Sequence, residues 1–178
     1  MYDRTLINAS SPGDEITVVG WVHEVRDLGG LTFLLLRDRS GILQVKFEKE
    51  TLSSETLSIL DQLYRESVVL LTGTVVPEKR APTGIEMVPE TIEILSLSDP
   101  NLPLDPSGKV TSELSTRLDK RCIDLRRIET RAIFEIRSEI QRSIRQRFYD
   151  IDCIEINTPK IVATGTEGGT DLFPIAYF

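Results

Sequence analysis

Phe33 and Gln44 stand in two apolar, alternating segments, LTFLLL (31–36) and ILQVKF (42–47), and they are residue types that a base-reading surface requires. An aromatic ring stacks an unstacked base, and a carboxamide offers a donor and an acceptor to its edge. Read from composition alone, Phe33 belongs instead to the core of LTFLLL, so the ring decides nothing until its face is known. A second chemical candidate is the basic stretch carrying Arg131, Arg137, Arg142, Arg145 and Arg147. Glu135 and Glu139 stand at helical spacing from Arg131 and Arg142, which predicts surface ion pairs and not a phosphate-binding face. Cys122 and Cys153 have no metal-ligand spacing and adjoin apolar periodic segments. They are expected to be reduced core thiols, and no metal site is expected.

Net charge is −7, the wrong sign for a surface that binds phosphates through a general positive field. The charge is segregated. Residues 1–116 hold 10 basic and 18 acidic groups, residues 117–147 hold 10 and 5, and residues 148–178 hold 1 and 5. Nucleic acid held by the first segment must therefore be held at a few specific contacts. The longest apolar runs, such as 34–36 and 68–71, are too short to span a bilayer, and no basic start precedes an apolar run. No membrane association and a cytoplasmic location are expected.

The elements that must position these residues follow from hydrophobic periodicity. Runs 16–25, 31–36 and 42–47 read as three strands in a meander, joined at Gly29-Gly30 and Gly41. Leu57, Leu60, Leu63 and Tyr64 recur at helical spacing after a Ser/Thr-rich start that can cap a helix over 53–65. Runs 68–76 and 85–95 supply two more strands around a Pro- and Gly-containing loop. Five strands with a helix between the third and fourth is the order of an OB-fold, which binds oligonucleotides on one face, although other five-strand barrels share it. Residues 98–116 carry prolines and no period, which predicts a linker between a domain at 1–97 and a second at 117–178. In the second, 116–127 reads as a short helical stretch. Ile133, Ile136, Ile140, Ile144 and Phe148 then mark one face of a long helix over 129–149, and 153–159 alternates like a strand stopped by Pro159.

The ordered segments GWVHEVRDLGG, LTFLLLRDRSGILQVKF, RCIDLRR, IEINTPKI and ATGTEGGTDLFPIAYF run nearly end to end, and together they resemble aspartyl-tRNA synthetases of the archaeal and eukaryotic type. The resemblance implies an all-β OB-fold barrel of five strands plus one helix. The opening of an α+β class II catalytic domain, built on an antiparallel sheet, would follow it. It implies that Phe33 stacks the central anticodon base, that Gln44 reads base edges, that Arg26 is a basic contact in the same site, and that Glu86 meets the first anticodon base. Pro159 falls at the proline of motif 1, which in class II enzymes forms a homodimer interface. Glu167, in a loop with Thr166, Gly168, Gly169 and Thr170, falls where the family holds the amino group of L-aspartate. The continuation TDLFP favours aspartate over asparagine. His23 and Pro82 replace a bulky Trp and a Lys common in enzymes that charge only tRNA(Asp), so they imply a non-discriminating enzyme that also charges tRNA(Asn). Trp21 is assigned to packing.

The family reaction joins aspartate to ATP, giving aspartyl-adenylate and pyrophosphate, and then passes the aspartyl group to tRNA, with ATP and Mg²⁺ required. Phe-Arg-x-Glu and Gly-x-Gly-x-x-Arg patterns, the marks of motifs 2 and 3, are not found by Phe178. The chain as written is therefore expected to be a truncated, inactive part of the ligase. A non-catalytic anticodon-binding module and a regulatory paralogue are the alternatives.

Overall fold

The computed structural model describes residues 3–159, 161 and 176. It divides into two compact units, Met1–Asp124 and Leu125–Phe178.

In the first unit, period-two sequences become strands because one side of each is apolar enough to close around a core. The strands are β1 (Glu15–Asp27), β2 (Leu31–Arg37), β3 (Ile42–Glu48), β4 (Val68–Pro77) and β5 (Ile85–Ser96). They form a closed barrel in the order β1-β2-β3-β5-β4. All pairings are antiparallel except a short parallel contact, Gln44 with Glu86 and Val45 with Met87, that closes β3 onto β5. Closure removes the unpaired edges that an open five-strand sheet would expose. Val22, Leu34, Leu36, Leu43, Val45, Val69, Leu71, Val75 and Met87 fill the interior and are wholly shielded from solvent.

The helix between the third and fourth strands is α1 (Ser54–Gln62). The Ser53 hydroxyl caps it by accepting the Thr56 N–H at 3.1 Å. Leu60 and Leu63 join the barrel core. This is the OB-fold arrangement anticipated from the strand order.

Residues 98–116 are fastened to the barrel and fall in the same compact unit. Leu104 is buried, Ser98 N–H donates to the Ser67 hydroxyl at 3.2 Å, and Arg65 pairs with Asp105 at 3.3 Å. Two short helices end the unit, α2 (Leu114–Asp119) and α3 (Arg121–Asp124), with Arg117 Nε 2.9 Å from Asp124 Oδ1.

The second unit contains α4 (Ile128–Tyr149). Its apolar positions Ile133, Ile136, Ile140, Ile144 and Phe148 are exposed. Arg131 pairs with Glu135 and Arg142 with Glu139, as their spacing predicts. The helix stops because Asp152 adopts φ +60°, which returns the Asp152 and Cys153 N–H groups to the Tyr149 and Phe148 carbonyls at 3.0 Å each.

Two expectations are corrected. Residues 153–159 alternate but form no strand, and they make no strand pairing among the described residues. Cys122 and Cys153 are free but exposed, not core. Cys122 lies on a four-residue helix with only Asp124 buried, and Cys153 lies just past the end of α4.

Candidate nucleic-acid interface

Side chains that point out of a barrel lie on the strand positions between its core residues. On β2 the core takes Thr32, Leu34 and Leu36, so Phe33, Leu35 and Arg37 alternate onto the outer side, where Leu35 and Arg37 are themselves covered and Phe33 is half-buried. On β3 the core takes Leu43, Val45 and Phe47, leaving Ile42, Gln44, Lys46 and Glu48 outside. Phe33 is therefore not a core residue. It lies half-buried on the outer surface, where a ring can receive a base.

The registers bring the candidate residues together. Arg26 pairs with Phe33, and Phe33 pairs with Lys46, so the ring stands on one rung between two cations. The next rung runs from Glu24 through Leu35 and Gln44 to Glu86. Gln44 Nε2 donates to Glu86 Oε2 at 3.0 Å, which ties the carboxamide to the carboxylate across the closing seam. Donation through Nε2 leaves the Gln44 carbonyl oxygen as its acceptor. Arg26 Nε meets Glu24 at 2.9 Å, and Lys46 meets Glu48 at 2.7 Å. Those pairings set the local charge. Arg26 and Lys109 hold the Glu24 carboxyl below its usual range, and Glu48 raises the Lys46 ammonium. The sequence reading missed Lys46, although its two-residue offset from Gln44 on an alternating strand places both on one face.

His23 sits at a β-bulge. Val22 pairs with Leu36 and Glu24 with Leu35, so His23 is the extra residue with no partner on β2. The bulge is braced from the far side by the turn before β4: Glu66 N–H donates to the Val22 carbonyl, and Val22 N–H to the Ser67 carbonyl, each at 2.8 Å. Glu66 adopts φ +69° there. His23 Nδ1 lies 3.2 Å from Arg37 Nη1, and Arg37 Nη2 donates to both Glu66 oxygens at 2.8 Å. Arg37 and Glu66 are buried. Burial, and then the Arg37 charge, lowers the His23 pKa below its ordinary value. Trp21 packs beside this group, its ring centroid 5.9 Å from the Arg37 guanidinium carbon.

The other candidates lie apart. Pro82 is exposed in the β4–β5 loop, which is closed by Glu78 N–H donating to the Gly84 carbonyl at 3.0 Å. Pro159 is exposed in the segment after α4. Thr166, Glu167, Gly168, Gly169 and Thr170 lie outside the described residues. Among the described residues no three His, Cys, Asp or Glu side chains converge as metal ligands, and no helix is long and apolar enough to cross a membrane.

The closed five-strand barrel has the OB-fold architecture, with an aromatic, an amide and paired cations on its outer face, and residues 16–95 match the family described as OB-fold nucleic acid binding domain. Residues 113–177 match the family described as tRNA synthetases class II (D, K and N). Over all 178 residues it is 60% identical to the aspartate–tRNA(Asp/Asn) ligase of Haloquadratum walsbyi, and over 166 residues it is 52% identical to that of Methanopyrus kandleri. It spans 41% and 38% of those proteins, about two-fifths of the length of the curated relatives it matches.

Asparaginyl-tRNA synthetase from Pyrococcus horikoshii, complexed with asparaginyl-adenylate, superposes with a TM-score of 0.90 at 26% identity, over 100% of this chain and 41% of that one. The aspartyl-tRNA synthetase of Entamoeba histolytica gives 0.74 at 26% identity, over 85% and 38%. Equal identity to both means that the structural likeness does not choose between the two amino acids.

Proposed function

We propose that this chain is part of an aspartate–tRNA ligase of the non-discriminating kind, and that its barrel grips the anticodon of tRNA(Asp) and tRNA(Asn) on the outer face of β1, β2, β3 and β5. The observation that carries this is the convergence of Arg26, Phe33, Gln44 and Glu86 on adjacent rungs of one outward face. Phe33 stacks the central base between Arg26 and Lys46, whose charges lie within reach of the flanking phosphates. Gln44, steadied by Glu86, offers its carbonyl oxygen to a base edge. His23 at the bulge and Pro82 in the β4–β5 loop tolerate either third anticodon base.

In the whole protein, Glu167 and its Gly-rich loop hold the amino group of L-aspartate while the carboxylate attacks ATP. Mg²⁺, bound with ATP, would supply charge neutralisation on the phosphates. The exposed apolar stripe of α4, together with Pro159, suits a homodimer interface. A cytoplasmic location, where tRNA is charged, goes with this reading.

The test is aminoacylation by the full-length protein with both tRNAs and with a third whose central anticodon base is changed. Aspartate is expected on the first two and not on the third. Charging of all three alike would sink the anticodon reading, and charging of tRNA(Asp) alone would sink the non-discriminating one.

A further inference from the structure

Arginine keeps its proton in proteins and has no acceptor, so a histidine nitrogen at hydrogen-bond distance from a guanidinium must be the unprotonated one. His23 Nδ1 is 3.2 Å from Arg37 Nη1. The guanidinium is itself immobilised, because Nη2 gives 2.8 Å bonds to both oxygens of a buried Glu66. Its backbone carbonyl also stands against Gly20, where an added Cβ would come within 2.6 Å.

We infer that Arg37, clamped by Glu66, is a positioning residue that holds His23 as the Nε2–H tautomer, so that the β1 bulge offers a base a hydrogen-bond donor and no acceptor. This rests on the reading of the barrel as an anticodon-binding face. The charged groups around the ring are Arg37 on β2, Glu66 in the turn before β4, Glu24 on β1 and Arg65 beside that turn. Arg37 is the one within hydrogen-bond distance of a ring nitrogen, and Glu66 acts through it.

The consequence is chemical. The codons for aspartate and asparagine differ at one position, which the anticodon meets with C or U. On their pairing edges those bases carry opposite groups at N3 and at C4, but both carry an acceptor oxygen at O2. A fixed donor bonded to O2 accepts either pyrimidine. An imidazole free to present a bare nitrogen could instead favour the uracil N3–H or the cytosine amino group. Tolerance at the third base thus follows from a locked tautomer, beyond the smaller size of His relative to Trp.

His23 is the single histidine in the chain, so its two ring nitrogens can be read directly by NMR after ¹⁵N-histidine labelling. At about pH 8, where an ordinary imidazole is neutral, Nε2 is expected to carry the proton and Nδ1 to be bare. An Nδ1–H ring or an even mixture overturns the inference. Arg37→Met is expected to give that mixture, and an unchanged ring there also overturns it.

Because Arg37→Met takes a cation away from the buried Glu66 carboxylate and can unfold the barrel, two variants at the reading residue keep the test decisive. His23→Gln can turn its oxygen to Arg37 and its amino group outward. It should retain binding of two RNA hairpins that differ only in C or U at the third anticodon position. His23→Glu, an acceptor only, should weaken both about tenfold, the loss of one hydrogen bond plus an unpaired acceptor at O2 of the base. Equal losses in the two variants, or a wild-type preference of more than about tenfold for one hairpin, count against the inference. If wild type binds neither hairpin, the anticodon reading falls, while the nitrogen signals still decide the tautomer.

Discussion

Phe33 and Phe47 lie on neighbouring strands, yet their substitutions should separate binding from folding. Phe47 is 1% exposed in the core, so Phe47→Ala should cost about 3–5 kcal/mol of stability. Phe33 lies outside the core cluster, so Phe33→Ala should leave the melting transition nearly in place. It should weaken binding of an anticodon hairpin about tenfold, within the range for one stacked base. Paired melts and titrations of the two variants check this, and a large loss of stability in Phe33→Ala would return the ring to a structural role. His23 makes a second prediction, for pH. Its folded-state pKa is lowered, by burial first and then by Arg37, so the unfolded chain takes up the proton more readily. Stability from this group is therefore complete above the unfolded value of 6.5 and is lost as pH falls through the interval below it. Urea midpoints of wild type should fall between about pH 7 and pH 5, and those of His23→Gln should fall less. Equal slopes would show that the ring is not shielded. Carboxylates whose pKa is lowered, Asp38 and Asp105 among them, act below that window and should not obscure it.

At the scale of elements, the barrel depends on close approaches that only glycine permits. A Cβ on Gly20 would stand 2.6 Å from the Arg37 carbonyl oxygen, whereas a Cβ on Gly30 would meet nothing within 4 Å. Gly20→Ala should cost about 1–3 kcal/mol through backbone displacement, and Gly30→Ala should change stability by less than about 0.5 kcal/mol. Similar denaturation midpoints for the two would contradict the packing described for β1 against β2. The strands themselves were legible in the sequence, because alternation and turn residues are local signals. The facing pairs Arg131–Glu135 and Arg142–Glu139 were legible for the same reason. Phe33 was ambiguous because the outward positions of LTFLLL are also apolar, leaving no polar side to mark which residues face out. The Arg37–Glu66–His23 group was not foreseen, since Glu66 reaches Arg37 across 29 residues and no local period announces such a contact. The 153–159 segment misled because alternation states a preference, while a strand also needs a neighbour.

For the whole molecule, the charge count and the proposed ligand stand in tension, and the outer face resolves it. The barrel and its linker, residues 1–116, carry 18 acidic against 10 basic groups. A polyanion approaching such a body gains little from long-range attraction, so affinity must come from stacking and a few local ion contacts. On the Phe33 rung the cations are Arg26 and Lys46, each already matched to a carboxylate two residues along its own strand. Bringing a phosphate to either one exchanges an ion partner and does not fill an empty positive site. Two such contacts on a single-stranded loop release few counterions, at about 0.7 per phosphate, so the logarithm of the association constant should fall with that of salt concentration at a slope near −1.4. Arg26→Gln should flatten the slope by about 0.7, and Lys46→Gln by a similar amount, with the stacking contribution intact. Titrating an anticodon hairpin between low and moderate salt measures it. A slope several-fold steeper would mean that the RNA lies across a basic surface elsewhere on the chain, and it would remove Phe33 from the centre of the interface.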